Sequence, residues 1–240
     1  MWQTIILSGL AGLITILGIF LTKWWHRPSL RYSHYINSFA AGIILTIALT
    51  ELLPRGLEYS EHASLYAIGG FVAFLILETF LVVHSGAEVH YPQRRGTAKG
   101  FVFFWGLFFH SLLDGLIIAI GFATDYEVGV VTALAVVSHE FPEGITTFSL
   151  LRQNISDRKA TLLGVAVALA TPAGGLIGLA FFPAPESVMA ATMGLVVGSF
   201  LYLAATDIVP EIREEKATGN IVALAAGSLF MIIIHHFLSH

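Results

Sequence analysis

The chain has 240 residues, of which 56% are hydrophobic and only 12% are charged, and its mean hydropathy is +0.79. This is the composition of a membrane protein, and the length leaves room for at most about eight or nine membrane helices without a soluble catalytic domain. The net charge of −4 and the absence of cysteine argue against a nucleic-acid partner, a disulfide framework and a thiolate metal site.

Apolar segments of about one membrane span each alternate with charged or Pro- and Gly-marked stretches. They predict an all-α polytopic membrane protein, a single transmembrane domain of residues 1–240. The first segment has basic residues after it and none before it, the reverse of a secretory signal, so we expect a retained helix. The eight predicted helices are residues 3–22, 35–54, 64–83, 101–123, 128–150, 160–182, 187–210 and 219–239.

The basic residues predict how these helices cross the membrane. All of them except Arg55 fall in the odd-numbered connections between the predicted helices. Because cytoplasmic connections carry an excess of Lys and Arg, the odd connections are expected in the cytoplasm and both termini outside, in the plasma (inner) membrane.

Two internal similarities indicate an inverted repeat. The run Asp207 to Pro210 follows the run Glu51 to Pro54 by 156 positions, and a His-x-x-x-acid-Gly pattern recurs after 29 positions in helices four and five. The partners in each pair run in opposite directions through the membrane. We therefore predict an inverted-repeat (3+2+3) bundle with a metal site between helices four and five, as in many transporters.

Ionisable residues are concentrated at one depth of helices four and five. His110 and Asp114 are four residues apart, as are His139 and Glu143, so each pair lies on one helix face, and Glu140 adds a third carboxylate. Neither predicted helix contains Lys or Arg. Because charges at the bilayer centre need a partner, a divalent metal is the expected counter-ion.

The donor types narrow the choice of metal without fixing it. Imidazole nitrogen and carboxylate oxygen without thiolate suit Zn²⁺, Fe²⁺ or Mn²⁺ better than Cu⁺. Pro142 in helix five and Thr171-Pro172 in helix six leave a backbone carbonyl without its helical partner, which provides an additional ligand or water contact.

Three motifs carry a resemblance to a known family. They are His110 to Gly115, His139 to Gly144 with the sequence HEFPEG, and Phe200 to Glu211, and the ELLP of Glu51 to Pro54 agrees with them. With these motifs the whole chain resembles the ZIP (Zrt-, Irt-like protein) divalent metal transporters. The resemblance implies a homodimer in the lipid bilayer that moves metal, Zn²⁺ first and Cd²⁺, Fe²⁺ or Mn²⁺ as alternatives, into the cytoplasm by an elevator-type alternating access.

The resemblance also implies roles for particular residues. His110, Asp114, Glu143 and Glu140 would be ligands of the transport site, while helices one, four, five and six would move as a unit against the others. Many members have Asn where this chain has Ser111 and Glu where it has Thr171. Losing these ligands should weaken a second metal position, so we expect one strong metal rather than a tight pair.

Other polar residues each have alternative roles. His139 is either a partner of a metal ligand or a ligand on the access path, and Glu51 is a candidate entry ligand. Two further groups are each compatible with metal capture or with ordinary interfacial positions: His84, Glu88 and His90 in one connection, and His235, His236 and His240 at the end of the chain.

Two other functions use the same residues. An intramembrane metallohydrolase would need a pattern such as His-Glu-x-x-His, and Glu143 stands where the second His would be. A metal-binding channel or sensor is the third candidate, although fast conduction requires weaker binding than this ligand set predicts. We therefore expect a transporter and no enzymatic activity.

Overall fold

The computed structural model describes residues 1–81, 97–181, 184–212 and 217–238, with only the backbone described at 26–33, 77–81, 97–103, 206–212, 217 and 238. Within these ranges the chain forms eight helices and no strand. The second helix joins three consecutive stretches, one of them π-helical. The helices are α1 (Trp2–Trp24), α2 (His26–Ile47, the π-helical Ala48–Leu52 and Leu53–Tyr59), α3 (Ala63–Leu81), α4 (Thr97–Thr124), α5 (Tyr126–Asn154), α6 (Asp157–Phe181), α7 (Glu186–Ile212) and α8 (Ala217–Leu238).

The helices have the dimensions of membrane spans. Seven of them are long and apolar enough to cross a bilayer, and the corresponding apolar stretch of α3, Ala63–Ile76, is shorter. The expected all-α polytopic membrane fold is thus present. Several helices extend beyond the apolar segments, with α2 starting at His26 rather than 35 and α4 at Thr97 rather than 101. Hydropathy marks only the part of a helix at hydrocarbon depth, which explains this difference.

A one-residue connection places α4 beside α5. Only Asp125 separates the two helices, and its side chain accepts a hydrogen bond from the Val128 backbone N–H at 2.8 Å. This contact caps the first turn of α5, where backbone N–H groups lack helical partners. The tight connection makes α4 and α5 antiparallel neighbours.

Close backbone contacts at glycines join α1, α4, α5 and α6, which we call group A. A Cβ added at Gly115 of α4 would collide with the Thr171 carbonyl of α6, and one at Gly144 of α5 would collide with the Thr15 carbonyl of α1. Small residues let membrane helices approach until their backbones touch. Group A is therefore packed through its backbones.

The remaining helices, α2, α3, α7 and α8, form group B in the same way. A Cβ at Gly42 of α2 would collide with the Leu224 carbonyl of α8, and one at Gly198 of α7 with the Ala67 carbonyl of α3. The same holds at Gly12, Gly18 and Gly174 in group A and at Gly70, Gly194 and Gly227 in group B, where an added Cβ would again meet a helix of its own group. The two groups are thus separate packing units.

Contacts between the groups are made by side chains. One buried cluster contains Ile44 and Ile47 of α2, Ile117 of α4, Val136 of α5 and Phe200 of α7. This part of the interface consists of aliphatic and aromatic side chains, and the cluster contains no glycine. In this cluster the two groups are held together by dispersion between aliphatic and aromatic side chains.

The glycine contacts predict that two substitutions in group B have very different effects on thermal stability. Gly198→Ala should lower the midpoint of thermal unfolding, because overpacking a helix contact costs about 1–3 kcal/mol. Gly69→Ala on α3 is the control, since a Cβ there has no heavy atom within 4 Å and alanine favours a helix by about 1 kcal/mol. Both variants are heated in detergent and the folded fraction is measured by size-exclusion chromatography. Equal midpoints would contradict the packing assigned here.

Candidate metal site

Four ionisable side chains meet between the middle parts of α4 and α5. They are His110 and Asp114 from α4 and His139 and Glu143 from α5, and one ligand atom from each lies within 4.8 Å of the others. We call this set the central cluster. Its members are on facing sides of the two helices because each pair is spaced four residues apart, about one helical turn. The pairs expected from the sequence are thus brought together.

Asp114 is the centre of this cluster. Its Oδ2 atom lies 3.3 Å from His110 Nε2 and 3.2 Å from His139 Nε2, and the Asp114 residue is only 1% exposed. Glu143 completes the cluster, with Oε2 at 3.8 Å from His110 Nε2. Each carboxylate therefore contacts an imidazole nitrogen rather than a lysine or arginine.

The tautomer of His139 makes its Nε2 atom a suitable metal ligand. Nδ1 lies 3.0 Å from the Ala135 backbone carbonyl, which only accepts hydrogen bonds, so Nδ1 carries the ring proton. In the neutral ring, the lone pair of Nε2 then points at Asp114 Oδ2, another acceptor. Two acceptors at this distance need a proton or a cation between them, and metal-binding histidines commonly donate their other N–H to a carbonyl in this way.

Glu143 also presents a buried atom that suits a cation. The Ser111 hydroxyl donates to Glu143 Oε1 at 2.6 Å, whereas Oε2 is buried and has no hydrogen-bond partner among the described residues. A buried carboxylate oxygen without a partner is costly. A cation in the central cluster would remove that cost.

Glu140 is positioned differently from the other carboxylates. It is fully buried, and the hydroxyls of Thr15 from α1 and Thr171 from α6 donate to its two carboxylate oxygens, the latter at 3.0 Å. Both oxygens are thus occupied, and Glu140 lies outside the central cluster. The sequence groups Glu140 with the ligands by its depth, and its role as a metal ligand stays a prediction; in this structure its oxygens accept hydrogen bonds from two neighbouring helices.

The glycine contacts explain why these hydroxyls reach Glu140. Gly115 lets the backbone of α6 approach at Thr171, and Gly144 lets the backbone of α1 approach at Thr15. Sequence reasoning did not identify Thr15. A signal was nevertheless present, because Thr15 and Thr171 are separated by the same 156 positions that relate helices two and seven.

A cavity of about 60 Å³ reaches the central cluster from one side. Within the cluster it touches His110, His139 and Glu143, and Pro142 also lines it. The remaining lining residues come from both helix groups: Asn37, Ala40, Ala41, Ile44, Leu107, Thr146 and Leu203. The cavity thus lies between groups A and B and adjoins the central cluster.

The other residues singled out in the sequence lie elsewhere. Glu51 is buried in the π-helical stretch of α2 and contacts His235 of α8. Neither residue belongs to the central cluster. His236 is exposed. The side chain of Asp207 and the residues His84, Glu88, His90 and His240 lie outside the described parts of the chain.

Known proteins resemble this chain across the region that carries the cluster. The family model described as ZIP Zinc transporter matches residues 82–235, which include all of α4 and α5. The chain is 26% identical over 215 residues to an uncharacterised protein of Methanocaldococcus jannaschii, covering 88% of each chain.

Several relatives are named as zinc transporters. Over 240 residues the chain is 25% identical to Zinc transporter ZIP13 of Pongo abelii, covering 89% of this chain and 68% of the relative. It is 38% identical over 108 residues to Zinc transporter ZIP4 of Homo sapiens, covering 45% of this chain but only 16% of that protein.

The hydrogen bond from Ser111 to Glu143 yields a test of the cluster. Ser111→Ala should weaken metal binding about tenfold, as expected when a partner that orients a ligand is removed. Ser199→Ala is the control, because Ser199 is also a buried serine but bonds the Val196 carbonyl of its own helix α7. Isothermal titration with Zn²⁺ in detergent measures both. Unchanged affinity in Ser111→Ala would show that Glu143 is not part of a metal site.

Proposed function

Since the chain belongs to the ZIP zinc transporter family, we propose that it carries divalent metal ions into the cytoplasm, with Zn²⁺ as the main substrate and Cd²⁺, Fe²⁺ and Mn²⁺ as further candidates. The observation that supports this most strongly is a buried carboxylate oxygen of Glu143 that has no hydrogen bond among the described residues, in a cluster of nitrogen and oxygen donors beside a cavity. Such a donor set fits these metals.

The proposed ligands of the transported ion are the four residues of the central cluster. Ser111 orients Glu143 through its hydroxyl and is a candidate ligand itself. Glu140 is proposed as an additional ligand, which coordinates the ion only after its hydrogen bonds with Thr15 and Thr171 have broken. Because the hydroxyl of Thr171 bonds to Glu140, we expect this position to bind one ion rather than two. Glu51 is proposed as a ligand on the entry path.

The position of the cavity supports a direction of opening. Leu107 precedes His110 by about one turn, and Thr146 follows Glu143 by about one turn, so both lie towards the ends of α4 and α5 that lead to the basic connections. With those connections in the cytoplasm and both termini outside, this arrangement is open to the inside. The plasma (inner) membrane is the proposed location.

Group A is the proposed moving unit. Its helices α1, α4, α5 and α6 share backbone contacts at glycines, as do those of group B, whereas the groups meet through side chains. Rigid bodies separated by a side-chain interface suit an elevator motion, in which group A carries the central cluster past group B. We separately propose that the protein forms a homodimer.

Packing also supports the proposed inverted repeat. Gly115 and Gly144 are 29 positions apart, and they pack against Thr171 and Thr15, which are 156 positions apart. The contact of α4 with α6 thus has a counterpart in the contact of α5 with α1. Inverted repeats give a transporter two related conformations facing opposite sides of the membrane.

The proposed transport predicts which substitutions stop metal influx. In proteoliposomes with an internal fluorescent indicator, wild-type protein should show saturable Zn²⁺ influx, and His110→Ala and Glu143→Ala should abolish it. Glu186→Ala, an exposed carboxylate on α7, is the control and should leave influx intact. Influx that never saturates would indicate a channel. Zn²⁺ binding without influx in wild-type protein would contradict a transporter.

Relative motion of the groups is testable because the chain contains no native cysteine. Thr124 of group A lies against Met193 of group B, with 3.9 Å between Oγ1 and Sδ. Cross-linking Thr124→Cys/Met193→Cys with a short bifunctional thiol reagent should stop influx, and a reducible reagent should allow recovery. Gly56→Cys/Met193→Cys is the control within group B, since a Cβ at Gly56 lies 3.7 Å from that of Met193. Full influx in the cross-linked Thr124 pair would contradict the motion.

A further inference from the structure

A second set of metal-ligand side chains lies at the other end of the bundle from the cavity. Glu51 of α2, Glu127 of α5 and His235 of α8 each place a ligand atom within 4.8 Å of the others, and we call them the outer cluster. Glu127 lies twelve residues before His139 on α5, so the two clusters are roughly 18 Å apart along the helix. The outer cluster is therefore a distinct feature.

The distances within this cluster match those expected around one shared ion. His235 Nδ1 lies 3.2 Å from Glu51 Oε2 and 3.8 Å from Glu127 Oε1. Two donors that each lie about 2.1 Å from a tetrahedral metal are roughly 3.4 Å from one another. The three donors come from three helices, so the site is built by tertiary packing rather than by one turn of a helix.

The local charge also favours a cation. Arg55 contacts Glu51 Oε1 at 3.3 Å, Glu58 at 3.4 Å and Asp125 at 3.6 Å. Three carboxylates thus contact one guanidinium group, and Glu127 adds a fourth carboxylate beside His235. Arg55 occupies only Oε1 of Glu51 and leaves Oε2 facing His235, so it orients this carboxylate in the way that second partners orient metal ligands. A divalent ion would offset most of the remaining negative charge.

The outer cluster also connects the two helix groups. Glu127 belongs to group A, whereas Glu51 and His235 belong to group B. Among the described residues, the ion pairs that join the groups are those of His235 with Glu127 and of Arg55 with Asp125, both at this end. In the arrangement seen here the three ligands lie together, while the cavity lies towards the opposite end of the bundle.

We propose that Glu51, Glu127 and His235 form a second binding site for a divalent metal, whose occupation holds the two helix groups in the arrangement seen here. A ligand stabilises the conformation to which it binds more tightly. With the transport function proposed above, metal at this site acts as a brake, and high external Zn²⁺ slows its own uptake.

Binding to purified protein tests the site without depending on transport. Equilibrium dialysis with Zn²⁺ is performed in detergent on the double variant His110→Ala/Glu143→Ala, which lacks the central site. This protein should still bind about one ion, and adding His235→Ala or Glu127→Gln should weaken that binding about tenfold or more. Undiminished binding in both added variants, or no binding in the double variant, overturns the proposal.

Matched controls separate loss of ligands from loss of structure. His236→Ala changes the exposed neighbouring histidine of α8, and Glu58→Gln changes another carboxylate beside Arg55; in the double-variant protein, neither should alter binding. His235→Ala in otherwise wild-type protein should keep binding at the central cluster, which shows that it is folded. An effect of His236→Ala equal to that of His235→Ala contradicts the assignment of ligands.

Influx measurements test the braking role. In wild-type proteoliposomes, the initial Zn²⁺ influx should fall at high external Zn²⁺ after passing through a maximum, and in His235→Ala it should reach a plateau instead. Equal decline in both proteins overturns the brake. If wild-type protein carries no Zn²⁺ at all, the transport proposal fails while the dialysis result still decides whether the outer site exists.

Discussion

The burial of three carboxylates in the middle of a membrane bundle is the constraint on which this structure depends. Ionised groups at that depth are expensive, and Asp114, Glu140 and Glu143 are each at most 8% exposed. The three carboxylates differ in the groups that they contact. Asp114 contacts two imidazoles, Glu140 receives two hydroxyl hydrogen bonds, and Glu143 keeps one oxygen without a hydrogen bond among the described residues. Because this buried oxygen of Glu143 lacks a hydrogen bond, the cluster is suited to bind a cation.

The glycines beside these carboxylates connect the chemistry to the architecture. Gly115 follows Asp114 and Gly144 follows Glu143, and each allows a backbone contact with α6 or α1. The same contacts bring the hydroxyls to Glu140 and assemble group A around the central cluster. A site built entirely within one packing unit keeps its ligands together if that unit moves, whereas the outer cluster draws its ligands from both units and would be broken by the motion.

Local patterns predicted much of this arrangement. Hydropathy indicates the eight helices, and the four-residue spacing of His110 with Asp114 and of His139 with Glu143 predicts that each pair shares a face. The separation of Glu140 from the cluster was not predictable in this way, because it depends on hydroxyls from α1 and α6. The outer cluster was also missed, since Glu51, Glu127 and His235 are far apart in sequence and meet only through the packing of α2, α5 and α8.

Anomalous diffraction at the zinc edge, from crystals of the protein loaded with Zn²⁺, tests the central claim most directly. We expect one strong peak in the middle of the bundle, within bonding distance of His110 Nε2, Asp114 Oδ2 and Glu143 Oε2, with Glu140 still bonded to Thr15 and Thr171. Absence of a peak at these atoms, or two equally strong neighbouring peaks bridged by Glu140, would contradict the account.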